Sequence, residues 1–208
     1  MTKLKLCGLR RTEDIIYANR YKPDYIGFIF AESRRRVTPE QAAELKALLS
    51  PEIRAVGVFV NAPIEEVSAL CNSGVIDLVQ LHGDESELYM RKLRREITLP
   101  IIKAIRVQTP EQILRAAELP CELLLLDAYT QGQRGGSGST FDHSMIPPIG
   151  KPFFLAGGLS ADTLPAAIAA CRPYGIDISS GVETDGYKDE YKIRAITRLM
   201  RGVERSNA

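Results

Sequence analysis

Residues 152–181, PFFLAGGLSADTLPAAIAACRPYGIDISSG, contain two short apolar runs with a helix-like segment between them. The runs PFFLAGG (152–158) and GIDISSG (175–181) have the composition of buried β-strands that end in small residues. A helical pattern opens at Ser160 and continues through Ala170. A strand, a helix and a second strand in this order predict a βαβ unit with two parallel strands.

The same alternation extends over the rest of the chain. Most neighbouring runs are separated by helical patterns with start signals, such as Thr38-Pro39 and Thr109-Pro110, which place proline in a first helical turn. A last helical pattern runs from Lys188 to about Val203. The six earlier strand-like runs are KLKLCG (3–8), DYIGFIF (24–30), IRAVGVFVN (53–61), DLVQLHG (77–83), PIIKAIRV (100–107) and ELLLLDA (122–128).

Eight strands that alternate with helices predict an α/β protein with a parallel sheet. Because the alternation continues without a break in composition, residues 1–208 are expected to form one domain, a closed (β/α)8 barrel of the TIM-barrel type. An open doubly wound sheet is the main alternative. Its glycine-rich fingerprint is missing, since the segment after the first strand reads CGLRRTED (7–14) and not GxGxxG.

Composition excludes several classes of function. The 208 residues are 45% hydrophobic and 25% charged, as in ordinary globular proteins with a substantial core. The net charge of +1 gives no support for general polyanion binding, so nucleic acid is not an expected partner. No apolar run approaches the roughly 18 residues of a membrane span, and residues 1–11 lack the apolar block of a signal peptide. We therefore expect a cytoplasmic protein with no membrane association and no evident obligate protein partner.

Cysteine and histidine are too scattered to predict a disulfide framework or a structural zinc site. The four cysteines are Cys7, Cys71, Cys121 and Cys171. Their number permits two disulfides, but free thiols are expected in a cytosolic chain of this size. The only histidines, His82 and His143, are far apart. We predict neither a metal site nor a cofactor.

Polar residues follow most of the predicted strands, where barrel enzymes carry their reactive groups. The strand KLKLC alternates strictly, so Cys7 lies on the lysine side and away from Leu4 and Leu6. A structural cysteine would be expected on the leucine side, since an unreactive thiol behaves as a small hydrophobe. The strand ends carry Cys7, residues 31–36, Asn61, His82, Asp127, Gly157–Gly158 and residues 179–181.

The loops after strands 7 and 8 predict a phosphate site. LAGGLS (155–160) and DISSGVE (177–183) supply glycines that allow close approach to the backbone, and amide groups at a helix start favour an anion. The alternative is that these glycines only form tight turns, but barrels commonly bind phosphate at these two loops. The candidate phosphate-binding residues are Gly157, Gly158, Ser179, Ser180 and Gly181.

Asp127 and Cys7 are the candidates for proton transfer. Asp127 ends an apolar strand, and a carboxyl group in apolar surroundings keeps its proton more readily, which suits a general acid. A capping or loop-bonding aspartate is the alternative. Cys7 has no histidine near it in sequence, which disfavours acyl transfer; a thiol can instead act as a base where positive charge stabilises the thiolate. An acid and a base on different strands indicate an isomerase without a cofactor.

Two other loops carry candidates. AESRRRV (31–37) is expected to be mostly a solvated basic loop, with one arginine directed inward to bind a carboxylate through two parallel hydrogen bonds. The glycine-rich stretch 131–144 is long for a βα connection and is expected to be either a disordered surface loop or, as we favour, a lid.

The residues are similar to those of the phosphoribosylanthranilate isomerase family, which acts in tryptophan biosynthesis. The resemblance extends over nearly the whole length, and the combination of strand-1 CG, QLHG and DISSGVE is its most specific part. The matching landmarks are KLCGL, GFIF with SRRRVTPEQA, VGVFVN, VQLHGDE, LLLDA, GGSGSTFDHS, LAGGLS and RPYGIDISSGVET.

The resemblance implies an Amadori rearrangement of N-(5-phosphoribosyl)anthranilate to 1-(2-carboxyphenylamino)-1-deoxyribulose 5-phosphate. It assigns Asp127 as the general acid that protonates the ribose ring oxygen, and Cys7 as the general base that takes the C2′ proton. Arg35 matches the arginine that faces the anthranilate carboxylate, with Arg34 and Arg36 as alternatives, because the preceding segment looks one residue short.

The resemblance also implies that His82 and Asp177 line the substrate site and that the glycines and serines named above hold the phosphate. Ser139 and His143 depart from the family pattern, in which lysine and tryptophan are frequent at these positions of the loop. Two alternatives remain. One is another phosphate-binding barrel isomerase or epimerase, and the other is a barrel that binds a phosphorylated metabolite without turnover.

Overall fold

Eight parallel strands close into a barrel in sequence order, as the alternating pattern predicts. The computed structural model of the chain describes residues 2–128 and 142–206, with the backbone alone for residues 203–206. Each strand lies within the run predicted for it. The strands are β1 (Lys3–Cys7), β2 (Tyr25–Ile29), β3 (Arg54–Phe59), β4 (Leu78–Leu81), β5 (Ile101–Val107), β6 (Leu123–Ala128), β7 (Phe153–Leu155) and β8 (Gly175–Ile178).

The pairing of β1 with β8 closes the barrel and excludes the open sheet. The register runs from Lys3 opposite Gly175 to Leu6 opposite Ile178. All eight neighbouring pairs are parallel. The carboxyl ends of the strands therefore meet at one rim, which is where the sequence predicts the functional residues.

Helices cover the outside of the barrel. Most begin where the proline and threonine signals predict: in α2, Thr38 accepts a hydrogen bond from the backbone of Gln41, and Pro39 occupies the first turn. The helices are α1 (Thr12–Tyr21), α2 (Pro39–Ala47), α3 (Ile64–Asn72), α4 (Glu87–Glu96), α5 (Pro110–Ala117), α6 (Leu164–Cys171) and α7 (Glu190–Ser206).

Two helix starts differ from their predictions. The helix predicted from Ser160 begins at Leu164, because the Thr163 hydroxyl accepts a hydrogen bond from the backbone N–H of Ser160 and closes a turn there. The last helix begins at Glu190 and not at Lys188. Lys188 belongs instead to a short antiparallel hairpin that the sequence analysis did not predict.

This hairpin pairs β9 (Glu183–Thr184) with β10 (Tyr187–Lys188). Its turn residues, Asp185 and Gly186, have φ angles of 52° and 78°. Two central residues with positive φ are typical of an Asp-Gly type I′ turn, so the dipeptide was an available signal. The hairpin follows β8 directly and brings charged side chains to the rim.

Two apolar layers account for most of the core. The larger layer lies between the sheet and the helices and includes Leu4 and Leu6. A smaller cluster fills the barrel interior. Its members are Tyr25, Val56, Leu78, Ile102, Ala104, Leu123, Leu125, Phe154 and Ala156.

All four cysteines are free thiols. Within residues 2–128 and 142–206, no helix combines the length and the apolar character needed to cross a membrane.

Candidate active site

A cavity of about 340 Å³ opens at the carboxyl ends of the barrel strands. Every site residue predicted from the sequence lines this cavity. They come from β1, β6 and β8 and from the segments that follow β2, β4, β7 and β8. The ten residues are Cys7, Arg35, His82, Asp127, Gly157, Gly158, Asp177, Ser179, Ser180 and Gly181.

The lysine side of β1 faces the barrel interior. Lys5 has 0% exposed surface, and its Nζ donates a hydrogen bond of 2.9 Å to Oδ1 of Asp177 on β8. Burial lowers the pKa of Lys5, but Asp177 and the neighbouring Cys7 more than offset this and raise the pKa above its ordinary value. A buried ammonium group therefore lies beside the Cys7 thiol. Lys5 was not among the site residues predicted from the sequence.

Burial raises the pKa of Cys7, and the charge of Lys5, the second largest influence, lowers it. Asp177 raises the pKa further, while Lys188 lowers it. Because burial dominates, Cys7 is mainly a thiol at neutral pH, even though two ammonium groups act on it. The positive charge that a basic thiol requires is present, but by itself it does not hold Cys7 as the thiolate.

Arg35 is the member of the arginine triplet that lines the cavity. Its Nε and Nη2 each donate a hydrogen bond of 2.7 Å to one carboxylate oxygen of Glu183, in a bidentate ion pair. The backbone carbonyl of Arg34 accepts from Arg10, and Arg36 pairs with Glu32 at an exposed position. Gly8 makes room for this arrangement, because a Cβ atom there would lie 2.6 Å from Cδ of Arg35.

Lys188 completes the group around Glu183. Its buried Nζ donates to Oε1 of Glu183 at 2.7 Å and to the backbone carbonyl of Ser179 at 3.0 Å. Burial raises the pKa of Glu183, but Arg35 and Lys188 more than offset this and hold it at about 2. Burial lowers the pKa of Lys188, and Glu183 opposes that change. Glu183 and Lys188 were not predicted as site residues, because their positions depend on the hairpin.

Asp127 and His82 approach each other across the cavity. Nε2 of His82 lies 3.3 Å from Oδ2 of Asp127, although the angles are not those of a good hydrogen bond. On the other side of the ring, Nδ1 of His82 lies 2.8 Å from the amide nitrogen of Gln80. Gln80 is 1% exposed and also lines the cavity. Gln80 was likewise missed, since one glutamine within an apolar strand is a weak signal.

A buried ion pair supports the loop that carries His82. Nζ of Lys103, on β5, donates to Oε2 of Glu85 at 2.7 Å and to the carbonyl of Gly83 at 2.6 Å. Oε1 of Glu85 accepts from the backbone N–H of Asn61 at 2.8 Å. The segments after β3 and β4 are thereby fixed to each other, which restricts where the His82 ring can lie.

The predicted phosphate loops lie next to each other. Gly157 and Gly158 have φ angles of 88° and 60°, a conformation that favours glycine. Ser180–Val182 form a single 3₁₀ turn after β8. A Cβ atom on Gly181 would lie 2.1 Å from the carbonyl oxygen of Leu159, so glycine is required where the two loops meet.

Part of the predicted lid, including Ser139, lies outside the described residues. His143 begins a short 3₁₀ turn, residues 143–145, and does not line the cavity. In the part of the chain that the structure describes, no three histidine, cysteine or acidic side chains come together as a group that could hold a metal ion.

A closed eight-stranded barrel with charged and reactive side chains at its carboxyl rim defines the class of (β/α)8-barrel enzymes. A comparison with family models gives a match over residues 4–198 to the family described as N-(5′-phosphoribosyl)anthranilate (PRA) isomerase. The chain belongs to this family, and the resemblance inferred from the sequence motifs is confirmed.

Individual relatives agree with the family assignment. The chain is 45% identical over 213 residues to the N-(5′-phosphoribosyl)anthranilate isomerase of Acetivibrio thermocellus, with 98% of each chain covered. It is 43% identical over 205 residues to that of Lachnoclostridium phytofermentans, with 92% of this chain and 94% of the relative covered.

Solved structures show the same architecture. The phosphoribosyl anthranilate isomerase of Thermus thermophilus superimposes with a TM-score of 0.86 at 33% identity, covering 97% of this chain and all of that one. Another phosphoribosyl anthranilate isomerase, solved in complex with reduced 1-(o-carboxyphenylamino)-1-deoxyribulose 5-phosphate, has a TM-score of 0.82 at 30% identity. It covers 97% of this chain and 100% of that chain.

Proposed function

We propose that the protein catalyses the Amadori rearrangement of N-(5-phosphoribosyl)anthranilate to 1-(2-carboxyphenylamino)-1-deoxyribulose 5-phosphate in tryptophan biosynthesis. Family membership supports this reaction. The observation that carries the proposal is that a thiol on β1 and a carboxyl group on β6, Cys7 and Asp127, line one cavity together with two glycine-containing loops and an arginine. The thiol and the carboxyl group suit the two proton transfers of the reaction. The loops suit the phosphate of the substrate, and the arginine suits its carboxylate.

The phosphate of the substrate binds between the loops after β7 and β8. Positive φ at Gly157 and Gly158 and the close approach at Gly181 leave backbone amides accessible to an anion. The hydroxyls of Ser179 and Ser180 are further donors at the same place. Binding at this end fixes the ribose over the middle of the barrel mouth.

The anthranilate carboxylate binds to Arg35. Glu183 uses two of the five N–H donors of this guanidinium group and fixes its plane. The remaining donors are available for a second carboxylate. Arg35 thus acts as an oriented cation in the same cavity as Cys7, Asp127 and the two phosphate loops.

Asp127 acts as the general acid. It donates its proton to the ribose ring oxygen, the bond from that oxygen to C1′ breaks, and the aniline nitrogen supplies the electron pair that forms a Schiff base. The Asp127 carboxylate that remains lies 3.3 Å from His82. A positioned proton transfer of this kind contributes roughly 10²- to 10⁴-fold to the rate.

Cys7 acts as the general base. The protonated Schiff base is a cation, and together with Lys5 and Lys188 it favours loss of the Cys7 proton to solvent, which offsets the effect of burial on the pKa of Cys7. The Asp127 carboxylate regains a proton from solvent before the next turnover. The thiolate takes the C2′ proton to give an enolamine. C1′ then takes up a proton and the 2′-hydroxyl loses one, which gives the ketone with no net change in protons.

A fluorescence assay of substrate consumption tests the proposal. Purified wild-type protein is expected to turn over N-(5-phosphoribosyl)anthranilate in the presence of a chelator. The variants Cys7→Ala and Asp127→Asn are each expected to lose at least roughly 10²-fold in kcat. Both should retain the far-UV circular dichroism spectrum and the affinity for inorganic phosphate of the wild type. Turnover at the wild-type rate in either variant contradicts the assigned role, and phosphate binding by an inactive wild type indicates a non-catalytic binding protein.

A further inference from the structure

Gln80 is a buried polar residue of the cavity to which the steps above assign no role. It lies on β4 two positions before His82, so both side chains point into the barrel. Its amide nitrogen lies 2.8 Å from Nδ1 of His82. Among the described residues, its amide oxygen is buried without a hydrogen-bond partner. Buried amides seldom leave an oxygen unpaired, and this atom belongs to a residue that lines the substrate cavity.

The contact with Gln80 determines the tautomer of His82. An amide nitrogen only donates hydrogen bonds, so Nδ1 of His82 must accept one and carries no proton. The proton of the neutral ring is then on Nε2, which lies 3.3 Å from Oδ2 of Asp127. An ionised carboxylate only accepts hydrogen bonds, so this tautomer is complementary to Asp127 after the acid has given up its proton.

The two oxygens of Asp127 then have different environments. Oδ2 faces His82, whereas Oδ1 lies toward the glycine loop, where a Cβ atom on Gly157 would be 2.9 Å away. Nε2 lies 3.3 Å from Oδ2, and a small rotation of the ring or of the carboxylate would align Nε2–H with this oxygen. The acidic proton then resides on Oδ1, beside the loop that lines the cavity. In the opposite tautomer, the lone pair of Nε2 would accept the proton from Oδ2 and withhold it from the sugar.

We propose that Gln80 is a positioning residue that holds His82 in the Nε2–H tautomer, so that His82 donates to Oδ2 of Asp127 and Oδ1 delivers the proton. The oxygen of Gln80 is left to accept a hydrogen bond from a hydroxyl or amine group of the substrate. The part of this inference that concerns delivery of the proton rests on the proposed function of Asp127.

Nitrogen NMR of histidine-labelled protein tests the tautomer directly. The chain has two histidines, and a His143→Gln variant leaves only His82. At neutral pH we expect a protonated Nε2 and an unprotonated Nδ1 in the wild type, and a mixture of tautomers in Gln80→Met. In Gln80→Glu the carboxylate only accepts, so Nδ1 should become protonated. A wild-type His82 protonated on Nδ1, or an unchanged tautomer in both variants, overturns the proposal.

Kinetics test the consequence for catalysis. Gln80→Met is expected to lower kcat on the order of tenfold, as for one lost hydrogen bond, with little change in the affinity for inorganic phosphate. In a His82→Ala background the same substitution should lower kcat much less, because the effect through His82 is already lost and only the bond from the Gln80 oxygen to the substrate remains to be removed. An equal loss in both backgrounds overturns the proposal. If the wild type proves inactive on the substrate, the proposed function fails, while the NMR result still decides the role of Gln80 toward His82.

Discussion

At the scale of single residues, Cys7 shows how a barrel interior controls ionisation. Burial raises the pKa of its thiol above the ordinary value of 9.0, and the buried ammonium of Lys5 opposes this. We expect alkylation of Cys7 by iodoacetamide to be slow at neutral pH and to increase up to and beyond pH 9. The substitution Lys5→Met should slow it further at pH values below the pKa of the thiol, because the thiolate loses the stabilising charge of Lys5.

Peptide mass spectrometry distinguishes Cys7 from the other cysteines in this experiment. Cys71 is the internal control: burial raises its pKa to about 11, and Lys5 is not among the influences on it. Its alkylation rate should therefore be the same in wild type and Lys5→Met. Faster alkylation of Cys7 in the variant would show that Lys5 does not stabilise the thiolate.

Glu183 gives a prediction about pH and stability. Its pKa is about 2 in the folded protein against an ordinary value of 4.5, so the ionised form is favoured by folding. The stability that this group contributes is present above about pH 4.5 and is lost as the pH falls through the folded value. At neutral pH, Glu183→Gln should lower the free energy of unfolding by about 3 kcal/mol, because it leaves the buried Lys188 unpaired.

Urea unfolding at a series of pH values measures this difference. The difference in free energy of unfolding between wild type and Glu183→Gln should decrease steadily as the pH falls below about 4.5. Glu87→Gln is the control, since Glu87 pairs with Arg91 at an exposed position and its loss should change stability by less than about 0.5 kcal/mol. If the difference in free energy of unfolding between wild type and Glu183→Gln does not change with pH, the ionisation of Glu183 is not linked to folding.

Some residues of the cavity could be predicted from the sequence and others could not, because they occupy different places in the strands. Cys7, His82 and Asp127 could be placed from the sequence because each lies at or next to the carboxyl end of a strand, and these ends meet at the rim of a parallel barrel. Gln80 and Lys5 lie inside strands. For a polar residue within a strand, the sequence alone does not distinguish a structural role from a functional one. Their environment becomes evident only when strands distant in sequence are brought together.

At the scale of elements, the two phosphate loops behave as one unit. A Cβ atom on Gly181 would lie 2.1 Å from the carbonyl oxygen of Leu159, so the loops cannot keep their present separation if this glycine is replaced. We expect Gly181→Ala to weaken the binding of inorganic phosphate about tenfold, or about 1.4 kcal/mol. It should also lower the free energy of unfolding by roughly 1–3 kcal/mol, as in other overpacked sites.

Gly150→Ala is the matched control for this prediction. A Cβ atom at Gly150 meets open space, and its backbone does not adopt a positive φ. Phosphate affinity, measured by isothermal titration calorimetry, should therefore be unchanged in this variant. If Gly181→Ala also binds phosphate like the wild type, the anion does not occupy the junction of the two loops.

The hairpin of β9 and β10 is an element of the rim that the sequence pattern did not reveal. The sequence predicts Lys188 as the start of the last helix, because the charged sequence that follows it is typical of a helix and two-residue strands have no detectable periodicity. The Asp-Gly pair at 185–186 was the signal that could have revealed it. Because the hairpin was not predicted, Glu183 and Lys188 were not predicted as site residues either.

At the scale of the whole molecule, the alternation of strands and helices sufficed to predict the barrel. Most strands are covered by helices, so most of the apolar runs are continuous and easy to recognise, and parallel order follows from the connections. The charge pairs of the interior could not be predicted in this way. Lys5 and Asp177 are 172 positions apart in the chain, and their pairing depends on closure between β1 and β8.

The buried ion pair of Lys5 and Asp177 gives a prediction about both the stability and the activity of the barrel. Lys5→Met and Asp177→Val should each lower the free energy of unfolding by about 3–5 kcal/mol, because each leaves an unpaired buried charge. The double variant removes both charges, so it should be about as stable as the wild type or more stable. It should nevertheless lose isomerase activity, since Cys7 loses the stronger of the two ammonium groups that act on it.

Urea unfolding of the wild type, both single variants and the double variant completes this thermodynamic cycle. A double variant as unstable as the sum of its singles would mean that Lys5 and Asp177 stabilise the fold independently. The expected result is a strong favourable coupling, with high stability and low activity in the same molecule. In that case the charged layer above the apolar interior is kept for catalysis, and the barrel would fold without it.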